Sequence, residues 1–156
     1  MLRNKIYIGA DSAGYLMKEE LIAILREEGY DVTDCGTHST ASCHYPDFAR
    51  AVCREVQKMP DNCFGILVCG TGIGMSMAAN KHRHIRAALC GDTYSARFTR
   101  LHNNANVLCM GARVIGSGLA ADIMSSFLST EFEAGGRHEQ RVGMITAIED
   151  ELCGDC

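Results

Sequence analysis

The stretch Phe64–Lys81, FGILVCGTGIGMSMAANK, decides how the chain is read. Phe64 to Val68 is an apolar run of strand length, and Gly70, Gly72 and Gly74 interrupt it. Ile73, Met75, Met77 and Ala78 then have the spacing of a helix entering a packed interior, so the order is strand, glycine turn, helix. The first N–H groups of such a helix have no internal partner and carry partial positive charge, which suits the turn to an anion. Cys69 stands at the tip of the strand, where that field favours thiolate over thiol. Thr71 adds a hydroxyl, and the amides of Gly70, Gly72 and Gly74 are donors for developing negative charge. A purely structural turn from strand to helix would use glycine as well.

Outward from this stretch, strand and helix alternate. Lys5–Ala10 is a β-branched strand leading into Asp11-Ser12-Ala13-Gly14. Leu16, Leu21, Ile24 and Leu25 form the apolar stripe of a first helix, with Lys18, Glu19, Glu20, Arg26 and Glu27 on its outer face and Gly29 at its end. Asp31–Asp34 is a second strand, and residues 37–45 form a loop. Pro46 fits the first turn of a helix whose inner side is Phe48, Ala49, Val52 and Val56. After the central unit come a strand over Ile85–Cys90, a helix over Thr93–Leu101, a strand over Asn106–Met110 and a helix from Gly116 or Ser117 to Thr130.

Short, continuously apolar strands alternating with helices predict an α/β fold. Specifically, a five-stranded parallel, Rossmann-like sheet lies in a three-layer α/β/α sandwich. Residues 1–152 make one domain and 153–156 a tail. The last helix, Arg137–Leu152, carries a stripe of Val142, Ile145, Ile148 and Leu152, and with no strand after it the expected cover is a neighbouring subunit. Ligands of open parallel sheets bind outside the carboxyl ends of the strands. That gathers Asp11, Cys69–Gly74, Asp92 and Gly111–Arg113 onto one rim.

Composition removes several classes of function. The 156 residues carry a formal charge of −4, which gives no electrostatic case for nucleic acid. No apolar run approaches the roughly 20 residues needed to span a bilayer, and no signal-peptide pattern opens the sequence, so a cytoplasmic location is expected. The nine cysteines are odd in number and scattered through the elements, as expected of core residues and free thiols. Cys153 and Cys156 form a CxxC at the extreme end, a position where chains generally fray, and so a weak redox signal. Cys35, His38, Cys43 and His44 match no zinc spacing, and no metal is expected.

Other motifs admit more than one reading. Gly70, Gly72 and Gly74 with Asp92 approximate a dinucleotide fingerprint, but the third glycine comes one place early. Gly9 to Gly14 has Walker A spacing, with Tyr15 and Leu16 where Lys and Ser/Thr are required. Arg137 and Arg141 share one face at the start of the last helix, either as a clamp for a phosphate dianion or as a solvated surface pair. His102 is a proton carrier or a cap, and the asparagines after it suit a turn with amides exposed to a site. Asp11 is an acid at the ligand rim or an N-cap.

The combination of Gly9-Ala-Asp11, Asp34-Cys-Gly36-Thr37, Tyr45-Pro46, Cys69-Gly-Thr-Gly-Ile-Gly74, Ala79-Asn-Lys81, Ile85-Arg-Ala87, His102-Asn103, Asn106-Val107, Gly111-Ala-Arg113 and Gly135-Gly-Arg-His-Glu-Gln-Arg141 resembles the type B ribose-5-phosphate isomerases. These belong to a wider family that includes galactose-6-phosphate isomerase subunits. The resemblance implies aldose–ketose interconversion of a sugar phosphate without metal or other cofactor. By it, Cys69 moves a proton from C2 to C1, Thr71 and the amides of Gly70–Gly74 steady the enediolate, and His102 with Asp11 opens the furanose ring. Asn103 holds sugar hydroxyls, Arg113, Arg137 and Arg141 grip the phosphate, and Ser12 and Tyr45 line the pocket. It also implies a homodimer or homotetramer with the site at the subunit boundary. Ser12 departs from the family, which mostly has histidine there. That leaves allose 6-phosphate, galactose 6-phosphate or a tetrose 4-phosphate as alternative substrates, and a non-catalytic phosphosugar binder as the reading from another class.

Overall fold

The computed structural model describes residues 5–154. Five parallel strands, β1 (Lys5–Ala10), β2 (Asp31–Asp34), β3 (Cys63–Cys69), β4 (Ala87–Leu89) and β5 (Val107–Gly111), stand in the order β2-β1-β3-β5-β4. Between them run α1 (Tyr15–Glu27), α2 (Tyr45–Lys58), α3 (Ile73–Ala79), α4 (Thr93–Asn103) and α5 (Ser117–Ser129), and α6 (Arg137–Gly154) follows. The expected parallel α/β sandwich is therefore observed. Strand ends differ at β3, which runs one residue further each way than Phe64–Val68, and at β4 and β5, because Ile85 and Arg86 belong to the approach to β4 and the ladder of β5 extends to Gly111.

Alternation along each strand divides the core into two. Ile6, Ile8, Phe64, Ile66, Val68, Leu108 and Met110 face α1 and α5, with Phe64 and Phe127 packed edge to face at 5.3 Å. Tyr7, Leu67, Cys69, Val107 and Cys109 face α2 and α3. Gly65 lets α2 approach, since a Cβ there would lie 2.9 Å from Val52. The buried thiols behave as core atoms: burial pushes Cys53 up to about 12, Cys90 up to about 11 and Cys109 well above its ordinary value. Cys156 of the terminal CxxC lies outside the described residues, as does the side chain of Cys153.

Two helix faces differ from expectation. In α1 the buried residues are Met17, Lys18, Leu21, Ile22 and Leu25, whereas Leu16 is 66% exposed. Lys18, expected on the outer face, is wholly buried because Asp34 at the end of β2 and the neighbouring Glu19 accept its ammonium at 2.5 and 2.8 Å. In α3, Met75 and Ala79 are buried but Ile73 and Met77 face outward. Helix α6 packs along α4 of its own chain and is tied to the segment between α3 and β4 by Arg83–Asp150 at 2.5 Å and the His84 N–H to Glu149 at 2.6 Å. Ile145 and Ile148 of its expected stripe, together with Met144, are exposed.

A buried ion pair that loses one partner leaves the other charge uncompensated, a loss of about 3 kcal/mol. Lys18→Met is expected to lower the unfolding free energy by that order in urea titrations at fixed protein concentration. An unchanged midpoint would show that Asp34 finds water instead.

Candidate active site

The turn after β3 is built by close backbone approach. Gly72 has φ +77, and a Cβ on it would stand 2.5 Å from Leu89 and 2.9 Å from the Met110 carbonyl carbon. A Cβ on Gly111 would lie 2.6 Å from the carbonyl of Thr71. The Cys69 carbonyl accepts the Ala112 N–H at 2.8 Å, and the Gly70 carbonyl accepts the Arg113 N–H at 3.0 Å. Cys69 is 5% exposed, and the Gly72 N–H points at its sulfur, 3.1 Å away. Thr71 is exposed beside it, its hydroxyl accepting the Ile73 N–H at 3.3 Å.

Three other segments meet this turn. The Arg113 side chain passes over Gly70, where a Cβ would meet it at 3.6 Å and Ala13 at 3.8 Å. Ala13 belongs to the loop that carries Asp11 and Ser12, which is fastened to β3 through the Asp11 N–H and the Val68 carbonyl at 3.2 Å. One carboxylate oxygen of Asp11 accepts the N–H groups of Ala13 and Gly14, each at 3.0 Å, so it closes the turn before α1 but is not the helix N-cap, which is Gly14. The Tyr45 ring lies on Gly74, 2.7 Å from the place a Cβ would take. Cys69, Gly70, Thr71, Gly72, Gly74, Asp11, Ser12, Tyr45 and Arg113 thus gather outside the carboxyl ends of β1 and β3. The strand order reverses between those two strands, which is where such sheets bind ligands. Asp92 is also at this end but is the N-cap of α4. The Ser95 N–H and hydroxyl occupy its two oxygens, and the amide bond holds its carboxyl below the usual range.

His102, Asn103, Arg137 and Arg141 are elsewhere. Helix α4 starts at the carboxyl rim and runs back about 16 Å over its 11 residues. It delivers His102 to the amino end of the sheet, where the Asn104 carbonyl accepts from Arg86, the residue before β4. At i, i+4 spacing Tyr94 stacks on Phe98 with centroids 4.2 Å apart, and Phe98 meets His102 edge to face at 4.9 Å. His102 lines a cavity of about 330 Å³ with Glu133, Ala134, Gly135, Gly136, Arg137 and His138. Arg141 is one helical turn beyond Arg137. Asn103 faces a different cavity, of about 570 Å³, bounded by residues 80–87 and by Ile145, Ile148 and Glu149 of α6.

The asparagine run is mostly structural, contrary to expectation. Asn104 caps α4 at φ +48, and the buried Asn106 accepts the Arg86 N–H at 2.8 Å and donates to the His84 carbonyl at 2.7 Å. Only Asn103 is exposed.

The profile of the ribose/galactose isomerase family matches residues 6–145. The chain belongs to that family. Ribose-5-phosphate isomerase B of Escherichia coli is 47% identical over 146 residues, 94% of this chain and 97% of that protein. The solved ribose-5-phosphate isomerase B of Clostridium thermocellum superposes with a TM-score of 0.91 at 48% identity, covering 95% of this chain and 99% of that one. The Mycoplasma genitalium ribose-5-phosphate isomerase B, solved with bound ribulose-5-phosphate, gives 0.91 at 39% identity, covering 94% and 97%. As a family member the chain is an aldose–ketose isomerase.

Sequence reasoning gave no role to Glu133 or His138. His138 stacks on His102 with centroids 3.9 Å apart and planes 1° from parallel, and Arg137 Nε donates to His138 Nε2 at 3.5 Å. Burial, His102 and Arg137 hold the His138 imidazole below the ordinary histidine range. Its position beside Arg137 was the available signal. Glu133 gave none, since its proximity to His102 depends on its N–H reaching the Leu101 carbonyl at 3.0 Å.

Gly111→Ala drives a methyl group into the Thr71 peptide and displaces the turn. Misplacing reacting groups by about 1 Å costs on the order of 100-fold in turnover. A loss of that size in sugar-phosphate isomerase assays is expected, and near-normal turnover would show that the turn tolerates movement.

Proposed function

We propose that the chain interconverts D-ribose 5-phosphate and D-ribulose 5-phosphate through a cis-enediolate, at a site completed by two copies of the chain. The observation that carries this reading is the Cys69 turn, which sets a sulfur, a hydroxyl, an amide donor and the Arg113 guanidinium together at the sheet's ligand rim. The type B isomerases among the relatives support the substrate.

In this reading Cys69 takes the C2 proton and returns it at C1 while a proton passes from O2 to O1. The negative charge that appears on the enediolate oxygens meets Thr71 and the amides of Gly70–Gly74, whose orientation is set before reaction. Arg113, Arg137 and Arg141 hold the phosphate, so that binding energy remote from the reacting carbons orients them. His102 with Asp11 opens the ring, Asn103 binds hydroxyls, and Ser12 and Tyr45 line the pocket.

His102 and Arg137 stand at the opposite end of the sheet from Cys69, so one chain does not unite these groups. A second chain supplies them if its amino-end cavity faces the first chain's carboxyl rim. A two-fold dimer makes two such sites at once.

Cys69→Ala and His102→Asn are each expected to lower turnover on the order of 1,000-fold, the range of a lost acid–base group. Cys69→Ala should still bind a phosphate-bearing inhibitor. Refolding the two variants together should restore about a quarter of wild-type turnover in a two-fold dimer, because hybrids hold one intact site. An inactive mixture would reject the shared site.

Ser12 favours a second reading within the same chemistry. Serine is shorter than the family's usual histidine and carries no charge, which leaves room for a different sugar phosphate. Comparing kcat/KM for four-, five- and six-carbon aldose phosphates separates the two. A ribose 5-phosphate preference supports the first reading, and a preference that moves to ribose 5-phosphate only in Ser12→His supports the second.

A further inference from the structure

We propose that His102, Glu133 and His138 form a binding site for a divalent transition-metal ion of the zinc type, and that the ion acts as an inhibitor by occupying His102. One ligand atom from each residue lies within 4.8 Å of the other two. Two imidazoles and one carboxylate are a recurrent ligand set for zinc, with a fourth position left to water. Bonds of about 2.1 Å in a tetrahedron put ligand atoms about 3.4 Å apart, so closure asks for shifts of roughly 1 Å.

The local structure allows that closure. Helix α4 fixes His102, and Phe98, packed edge to face, steadies its ring. The Glu133 backbone is tied to the same helix turn through the Leu101 carbonyl, while its side chain is exposed. His138 opens α6, where Glu139 accepts the Gly135 N–H at 2.7 Å and holds the approach in place. The parallel stack of the two imidazoles directs their in-plane lone pairs side by side instead of toward one point. Turning His138 about its Cβ–Cγ bond, a broad torsion, aims its nitrogen at the shared centre. The cavity of about 330 Å³ has room for an ion and its water.

Charge is close to balanced. Metal ligation needs neutral imidazole, and His138 is held in that form by burial, by His102 and by Arg137. Arg137 opposes a cation, but it is exposed and its contact with His138 is a long 3.5 Å. The Glu133 carboxylate offsets it. This differs from a catalytic metal: the ion ties up the lone pair that His102 would use for proton transfer.

The binding claim stands on the cluster itself, and the inhibition rests on the role proposed above for His102. Cobalt(II) added to metal-free protein is the probe. The expected result is one equivalent bound with visible d–d absorption of nitrogen and oxygen ligation, without thiolate charge-transfer bands from the cysteines. Glu133→Gln and His138→Asn should each weaken uptake at least about tenfold, as loss of a ligand or its partner does. Wild-type turnover should fall as the cobalt band rises and return on adding EDTA, while Glu133→Gln keeps its turnover at the same cobalt concentration. Absence of the band in wild type, thiolate ligation, or uptake by both variants equal to that of wild type would overturn the site. Uptake that follows the variants while turnover stays full would keep the site and reject the inhibition together with the His102 assignment.

Discussion

The carboxyl rim depends on peptides packed against peptides. Thr71 lies where a side chain on Gly111 would be, the Val68 carbonyl stands 2.4 Å from the place of a Cβ on Gly14, and Gly72 is pressed against Met110. Three strand exits therefore converge with close backbone contacts between them, which helps to fix Asp11, Cys69 and Arg113 relative to one another. The loops carrying the chemistry are short, and each is hydrogen-bonded to its neighbour: Asp11 to Val68, Ala112 to Cys69 and Arg113 to Gly70. Groups held this way need little reorganisation when charge develops near them. The glycines are thus spacers for a close contact as much as conformational hinges.

At the other end of the sheet the supports are side chains. Asn106, fully buried, bridges the Arg86 N–H and the His84 carbonyl. Arg100 donates to Asn104 and to the Ala105 carbonyl, with its guanidinium near the rings of Phe64 and Phe127. These contacts lock the turn between α4 and β5, and so fix where α4 ends. The end of α4 in turn sets the position of His102. Polar groups buried with all their partners present give a single arrangement, because any alternative leaves one of them unpaired. The Asn-rich segment that looked like a ligand loop is largely this lock.

Much of the fold was legible because its signals are local. The apolar run before Cys69, the glycines after it and the regular alternation of strand and helix each depend on neighbouring residues. The carboxyl-rim residues followed from topology once the strands were recognised. What escaped was pairwise and distant in sequence. Lys18 looked like an outer-face lysine because its partner, Asp34, is 16 residues away. Glu133 and His102 meet only because α5 brings the chain back to the end of α4. Asp92 was placed on the rim correctly, but its hydrogen bonds to Ser95 make it a cap.

Ile73 and Met77 show a different limit. Their spacing in the Cys69 stretch reads as a helix face entering an interior, and in the lone chain that face is open. The stripe of α6 behaves the same way, with Ile145 and Ile148 uncovered. Periodicity reports that a face is to be buried and is silent on whether the cover is in the same chain. Burying a side chain of this size contributes about 1.5–3 kcal/mol, so four such residues represent a substantial force toward association. On the shared-site reading the same association carries His102 and Arg137 to the Cys69 turn of another copy. The apolar faces and the divided chemistry then have one cause, and turnover per chain should follow the fraction assembled, since binding between copies shifts both together by mass action.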